Sequence, residues 1–254
     1  MSGTQSSWGG CLVLRPVLGM AAYLGPGGHA ERHAHHAVQL TIGVDAPVCV
    51  QLDGGTTVEQ RSVVIERGTA HAFTAHGRVA MVFADPSSRV GQQLQSPVVG
   101  APLPDAALAD SAPVRYVDAV LTTVGVDAGP PDTESPVLAR ALRYVDDKVR
   151  ATGHANLADA ARAVALSPSR LTHRFSREAG IPFRRYVLWS RLLVALETVA
   201  AGADLTRAAA AAGFSDSAHL SRTFRANFGI PPSALLGMRI VTDDPASSTA
   251  SFKR

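Results

Sequence analysis

The spacing of apolar residues changes character along this chain. Up to about residue 84 they fall in short, β-branched runs: Val48-Cys49-Val50-Gln51-Leu52, Ser62-Val63-Val64-Ile65 and Val79-Ala80-Met81-Val82-Phe83. Turn-forming stretches separate them, at Gly25-Pro26-Gly27-Gly28, Asp53-Gly54-Gly55, Arg67-Gly68 and His76-Gly77. Many short strands at this spacing predict a sandwich, jelly roll or small barrel over 11–84. From residue 136 onward the period is helical. Val137, Leu138, Leu142, Val145 and Val149 make one apolar stripe, with Arg140, Arg143, Asp146, Asp147 and Lys148 largely off it. Starts and stops follow in order. Ser135-Pro136, Asn156, Ser167-Pro168, Asp204 and Ser215 or Asp216 open helices, and Gly180, Gly202, Gly213 and Gly229 close them.

The middle is less regular. Residues 87–95 carry Val90 and Leu94 four apart, and 114–124 carry Val117, Val120, Leu121 and Val124 at helical spacing. The second stripe suits a dimer helix as well as it suits packing on its own barrel, so a homodimer stays open. Gly129-Pro130-Pro131 marks a linker. The expected organisation is a β-barrel over 1–85, a helical connecting segment over 86–125, a linker over 126–135, an all-α domain over 136–237 and a disordered tail over 238–254. The fold class is therefore α+β in two domains.

The all-α half contains one unit written twice. Leu157-Ala158-Asp159-Ala160-Ala161-Arg162-Ala163-Val164-Ala165-Leu166-Ser167 lines up with Leu205-Thr206-Arg207-Ala208-Ala209-Ala210-Ala211-Ala212-Gly213-Phe214-Ser215 at an offset of 48. One residue is then inserted, and Leu171, Phe175 and Gly180-Ile181-Pro182 meet Leu220, Phe224 and Gly229-Ile230-Pro231 at 49. Each copy is a short alanine-rich helix, a turn, and a second helix bearing Arg and His. That is the layout of a helix-turn-helix, whose second helix enters a DNA major groove. In the first copy Leu171, Phe175 and Ala179 must face inward, which leaves Ser169, Arg170, Thr172, His173, Arg174, Ser176 and Arg177 outside. In the second, Leu220, Phe224 and Phe228 face inward, and Ser217, Ala218, His219, Ser221, Arg222 and Arg225 point outward. Long donors reach base edges, and short hydroxyls let the backbone approach phosphates. The helix between the copies, 183–201, is roughly 28 Å long at 1.5 Å per residue. One turn of B-DNA is roughly 34 Å.

Charge sharpens this picture. The chain has a net charge of +3, but 134–237 holds 14 Lys and Arg against 8 Asp and Glu, whereas the rest holds 10 against 13. A basic half joined to a mildly acidic half places the polyanion partner, double-stranded DNA, on the C-terminal side. Two cysteines, Cys11 and Cys49, supply no metal or disulfide framework and are expected as free thiols. The first ten residues lack the basic start and apolar run of a signal peptide, and no stretch reaches the length of a membrane span. A cytoplasmic protein with no membrane partner is expected.

Three segments carry a family resemblance. They are Arg191-Leu192-Leu193-Val194-Ala195, the stretch 208–225 including Gly213-Phe214-Ser215-Asp216-Ser217-Ala218-His219-Leu220-Ser221-Arg222, and Phe228-Gly229-Ile230-Pro231-Pro232-Ser233. Together they resemble the signature of AraC/XylS-type transcription regulators, over about 136–237. The resemblance implies two helix-turn-helix subdomains bridged by one helix, with base-contacting positions at Ser169, Thr172 and His173 and at Ser217, Ala218 and Arg222. Pro168 and Ser169 leave the first reading helix without long side chains at its entry, and Ala218 has no hydrogen-bonding group. Arg222 and His173, with Arg170, would then carry more of the direct readout. RNA polymerase and a small-molecule effector are partners that such a regulator implies.

Six of the nine histidines lie between residues 29 and 76: His29, His33, His35, His36, His71 and His76. His33 and His35 share a face if extended, Gln39 follows, and His71 comes just before Phe73. This pattern resembles the two metal motifs of the cupin barrel, whose ligands map onto His33, His35, Gln39 and His71. Gln39 stands where the usual carboxylate would be, and Ala75 where an Asn would be. Three imidazoles suit a divalent transition metal such as Zn, Fe, Ni or Cu. The same histidines equally suit an effector-lined wall or a structural network. No nucleophile elbow or phosphate loop is present, so the expectation is a regulator and not an enzyme. The alternatives are a cupin-type metal-dependent enzyme carrying a DNA-binding module, and a DNA-binding adaptor whose barrel holds no ligand.

Overall fold

The structure is a computed structural model that describes residues 9–15, 19–94, 103–127 and 135–242. It divides into two compact units, Met1–Pro130 with Ala226–Arg254, and Pro131–Arg225.

The first unit holds β1 (Cys11–Arg15), β2 (Met20–Pro26), β3 (His29–His33), β4 (Val38–Gly43), β5 (Val48–Leu52), β6 (Thr57–Gln60), β7 (Ser62–Ile65), β8 (His71–Ala75) and β9 (Arg78–Ala84). Helices α1 (Arg89–Gln93), α2 (Ala107–Ser111) and α3 (Pro113–Thr123) follow, and β10 (Arg239–Thr242) returns near the C-terminus. The strands form two sheets, ordered β10-β1-β2-β9-β4-β7 and β3-β8-β5-β6. Among the described residues, the pairings are antiparallel except that of β1 with β10. This is a cupin-like arrangement of two sheets.

The larger sheet is covered on both faces, which is why β4 and β9 read as nearly unbroken apolar runs. Val38, Leu40 and Ile42 of β4, with Ala80, Val82 and Ala84 of β9, pack beneath Val90, Leu94, Tyr116, Val117, Val120 and Leu121 of the helical segment. By strand alternation Gln39, Thr41, Met81 and Phe83 occupy the opposite face, toward the interior of the barrel. Each fully buried Leu or Val contributes about 1.5–3 kcal/mol. The stripe Val117, Val120 and Leu121 is thus core of its own unit and not an exposed dimer surface. Arg15, itself buried, pairs with Asp118 and ties β1 to α3.

Two boundaries differ from the sequence expectation. The tail expected from residue 238 begins with β10, which pairs in register with β1 from Cys11↔Arg239 to Leu14↔Thr242. The β-branched run Ile240-Val241-Thr242 accounts for it. Residues 243–254 lie outside those described. The expected linker begins with a buried residue, Val126, whose N–H donates to Leu121 O. The remainder with Gly129-Pro130-Pro131 lies outside the described residues.

The second unit is helical: α4 (Pro136–Thr152), α5 (Leu157–Ala163), α6 (Pro168–Glu178), α7 (Phe183–Ala200), α8 (Leu205–Ala211) and the start of α9 (Ser217–Phe228). Side-chain caps open five of them. Ser135, Asn156, Ser167 and Asp204 each accept from a backbone N–H three residues on, and Asp216 accepts from His219 N–H at 2.6 Å. Each such cap contributes about 1 kcal/mol. Helix α4 packs on α7, where Tyr186 and Ser190 donate to Asp146 at 3.0 and 2.8 Å. Burial raises the Asp146 pKa, and the two hydroxyls oppose that shift. Arg150 pairs with Glu197 across the same helices. Among the described residues no helix is long and apolar enough to cross a membrane.

Candidate nucleic-acid interface and histidine cluster

The two copies of the repeated unit fold alike. In each, a seven-residue helix (α5, α8) is followed by a tight turn and a longer helix (α6, α9). Both turns need one residue in the left-handed region. Gly213 supplies it in the second copy at φ +74°, and its counterpart in the first is Ala165 at φ +56°. The inserted residue is Asp216, which caps α9 as Ser167 caps α6.

The second turn is braced from α7. Arg191 donates to Ala212 O at 2.7 Å and to Gly213 O, and its guanidinium carbon sits 4.2 Å from the centre of the Phe214 ring. The end of α4 closes the other side, where Gly153 and Gly213 meet backbone to backbone. A Cβ on Gly213 would lie 2.1 Å from Gly153 O. Arg191, Gly153 and Asp146 were not singled out as functional from the sequence. Arg191 alone had an indirect sequence signal, as the first residue of a resemblance segment.

On α6, Leu171 and Phe175 are buried, while Ser169, Arg170, Thr172 and His173 are exposed. The Thr172 hydroxyl donates back to Pro168 O at 2.9 Å. Arg174, expected outside, is half-buried and bonded to Glu178 at 2.7 Å and to Ser135 Oγ at 3.3 Å. These bonds commit it to bracing α6 against the start of α4. On α9, Ala218, Arg222 and Arg225 are exposed, and Ser217 and Ser221 are half-buried. His219 is half-buried too, with Nδ1 3.1 Å from Ser215 Oγ and its ring edge-on to Phe214 at 5.2 Å, so it belongs to the turn. Phe228, expected with Leu220 and Phe224, is half-buried and stacks edge-on against Phe83 of the first unit, to which it also belongs.

In the first unit the structure brings His33, His35 and His71 together. His33, the last residue of β3, pairs with His71, the first of β8. His35 lies in the loop that leads into β4. One ring nitrogen from each lies within 4.8 Å of the other two. All three are buried, His71 completely. His29 and His76 are exposed and stand apart from the cluster.

Each Nδ1 of the cluster faces a backbone carbonyl two residues away: Glu31 O at 2.7 Å from His33, Ala37 O at 2.9 Å from His35, and Thr69 O at 2.9 Å from His71. A carbonyl only accepts, so each Nδ1 carries the proton and each Nε2 keeps its lone pair. Nε2 of His71 finds no hydrogen-bond partner among the described residues. Gln39 Oε1 lies 2.7 Å from His35 Nε2, and the amide nitrogen of Gln39 lies 2.6 Å from Thr41 Oγ1. With Nε2 of His35 as an acceptor, its lone pair faces that of Gln39 Oε1, an opposition that a cation shared between them relieves. Carbonyl-anchored imidazoles with convergent lone pairs are what a metal ligand set requires. An orphaned Nε2 fits the same purpose.

Burial holds the three rings neutral. It lowers His33 to about 3, aided by the neighbouring His71, and lowers His35 to about 4, again with His71. His71 is lowered by burial as well. The unfolded values near 6.5 lie above these. Between pH 6.5 and about 4 the unfolded chain therefore binds more protons, and stability falls as pH falls through that window. Each unit of depression corresponds to about 1.4 kcal/mol. Calorimetry of the full chain is expected to show the unfolding midpoint steady from pH 8 to 7 and dropping by several degrees from pH 6.5 to 5. A midpoint unchanged over that interval would mean that the rings are solvated.

A cavity of ≈ 310 Å³ lies elsewhere in this unit, lined by Cys11, Leu24, Pro26, Arg78, Asp110 and Arg239 among others. Arg78 is already paired there with Asp45 and Asp110, both at 2.7 Å.

Comparison with known proteins agrees with the helical half. Residues 160–238 match the helix-turn-helix domain family. The transcriptional activator RhrA of Rhizobium meliloti (strain 1021) is 38% identical over 88 residues, which is 34% of this chain and 28% of that activator. The match thus spans under a third of the relative's length. Among solved structures, ToxT of Vibrio cholerae O395 superposes with a TM-score of 0.55 at 12% identity, over 86% of this chain and 97% of ToxT. ToxT of strain SCE256 bound to an unsaturated fatty acid gives 0.50 at 10% identity, over 85% of this chain and 94% of that one. At these identities the likeness concerns the fold: a sheet-rich N-terminal part followed by a helical C-terminal part.

Proposed function

We propose, on the premise that residues 160–238 are an AraC-type helix-turn-helix domain, that this chain is a sequence-specific DNA-binding transcription regulator. Its N-terminal barrel senses a ligand. The observation that carries the reading is the pair of capped helices α6 and α9, which present Arg170, His173, Arg222 and Arg225 to solvent after near-identical turns. Exposed hydroxyl and cationic groups on two such helices match what base edges and phosphates take up. The basic excess of 134–237 supports the same polyanion. Ser169 and Thr172 sit at the exposed entry of α6, and Ser217, Ala218 and Ser221 line the corresponding part of α9.

Within the barrel the cluster of His33, His35 and His71, with Gln39 beside it, is the sensing site. Three neutral imidazoles anchored through Nδ1 favour a divalent transition-metal ion over a purely organic ligand. Such an ion, when bound, would supply a fixed positive charge among rings otherwise joined only by packing. His33, His35 and His71 would hold it through Nε2, and Gln39, whose Oε1 faces His35 Nε2 at 2.7 Å, would add that oxygen to the ligand set.

Fluorescence anisotropy of the full chain on a labelled mixed-sequence duplex tests the first half of the proposal. Affinity is expected to fall steeply between 50 and 200 mM salt, with roughly one counterion released per neutralised phosphate. No binding at 50 mM salt would end the regulator reading.

A further inference from the structure

We infer that Gly229 links the histidine cluster to the end of α9, so that holding a divalent transition-metal ion at His33, His35 and His71 and seating the segment around Gly229 govern one another. This rests on the reading of the cluster as a metal-sensing site.

The contact is unusually close. Gly229 has φ +68°, and its bare Cα lies against the His33 ring. A Cβ there would stand 2.5 Å from His33 Nδ1, 2.9 Å from His33 Cε1 and 2.7 Å from Glu31 O. Glu31 connects the two groups through its own backbone. Its N–H donates to Gly229 O at 3.2 Å, and its carbonyl accepts from His33 Nδ1 at 2.7 Å. The preceding residue offers a second route. Phe228 stacks edge-on against Phe83, and Phe83 stacks edge-on against His35, with 5.5 Å between ring centres in each pair. Two of the three rings are therefore addressed by two consecutive residues. All these groups lie in the first unit. Along the chain, Gly229 comes about two helical turns after Arg222.

The physical consequence is a two-way constraint. When His33 serves as a ligand through Nε2, its ring is fixed and its Nδ1–H···O bond to Glu31 strengthens. That holds the Glu31 backbone, and with it the N–H that Gly229 O receives. When Gly229 leaves, His33 loses the wall that sets its rotamer. Packed interiors shift between discrete arrangements and do not deform continuously, so the two events are coupled. Coupling of this kind is reciprocal: whatever factor metal applies to duplex affinity, duplex applies to metal affinity.

Co(II) is a suitable probe because its visible absorption reports coordination. The full-length wild type is expected to take one equivalent through His33, His35 and His71, and His71→Ala to take none. Gly229 offers no ligand atom in its side chain, yet Gly229→Ala is expected to bind Co(II) about 10-fold or more weakly, as the loss of a ligand's support does. Wild-type affinity for duplex DNA should change by about 5-fold or more on saturation with Co(II), and that of both variants should not. The wild type alone also tests the link without any substitution: its Co(II) affinity is expected to differ by about 5-fold or more with and without duplex, and no difference would overturn the coupling. Equal Co(II) affinity in wild type and Gly229→Ala, or no Co(II) uptake by the wild type, overturns the inference. Failure to bind duplex in any state would instead overturn the regulator reading, and the Co(II) comparison would still decide the role of Gly229.

Discussion

Gly213→Ala is expected to destabilise the helical unit by about 3 kcal/mol or more, followed by circular dichroism at 222 nm in urea. Two penalties add. An alanine held in the left-handed region costs about 1–2 kcal/mol. The new methyl group would also stand 2.1 Å from Gly153 O and 2.9 Å from Gly153 Cα. Those are backbone atoms at the end of α4 and cannot swing aside as a flexible side chain would. Relieving the clash means separating the ends of α4 and α8, and overpacking of this kind costs about 1–3 kcal/mol. It would also pull Ala212 O and Gly213 O away from Arg191. The first copy of the repeat is an internal control. Ala165 already adopts φ +56°, so Ala165→Gly removes strain and adds unfolded-state entropy. Its net effect is expected to stay within about 1 kcal/mol. Equal, small effects at both positions would show that the Gly153–Gly213 approach does not matter to stability.

Arg222→Ala is expected to weaken binding to the cognate duplex by roughly 5- to 150-fold and binding to random duplex far less. Arg222 is exposed on α9. A bidentate arginine–guanine contact discriminates by about 1–3 kcal/mol. Equal loss on cognate and random DNA would make Arg222 a phosphate contact. Arg174→Ala provides the contrast. Its guanidinium is engaged with Glu178 and Ser135, so its loss should lower thermal stability and leave sequence preference unchanged.

The repeat was the most legible feature of the sequence, because caps, breakers and buried positions recur at offsets of 48 and 49 and each has a local cause. The sheet-rich half was legible from its turn residues. Strand alternation could not show that one face of β4 would carry Leu40 beneath helices while the other carried Gln39 into the barrel. Whether Val117, Val120 and Leu121 would pack on their own barrel or on a second copy depended on the geometry of the sheet, which periodicity does not contain. The closeness of His33 and His35 in sequence hinted at their cluster, and the β3–β8 register brings His71 to them. The approach of Gly229 to His33 had no sequence signal, since it joins residues nearly two hundred positions apart. The bond between Arg174 and Glu178 did have one, in their spacing of four along a helix.

Selection of binding sites from a random duplex pool, using the full-length chain, tests the central claim most directly. Helix α7, with 18 residues, separates the two repeats by about 27 Å, close to the roughly 34 Å of one DNA turn. The expected outcome is one enriched consensus with two conserved blocks about 10 base pairs apart, the block lost in Arg222→Ala being distinct from the block lost in His173→Ala. Recovery of unenriched sequence, or of a single block indifferent to both substitutions, would contradict it.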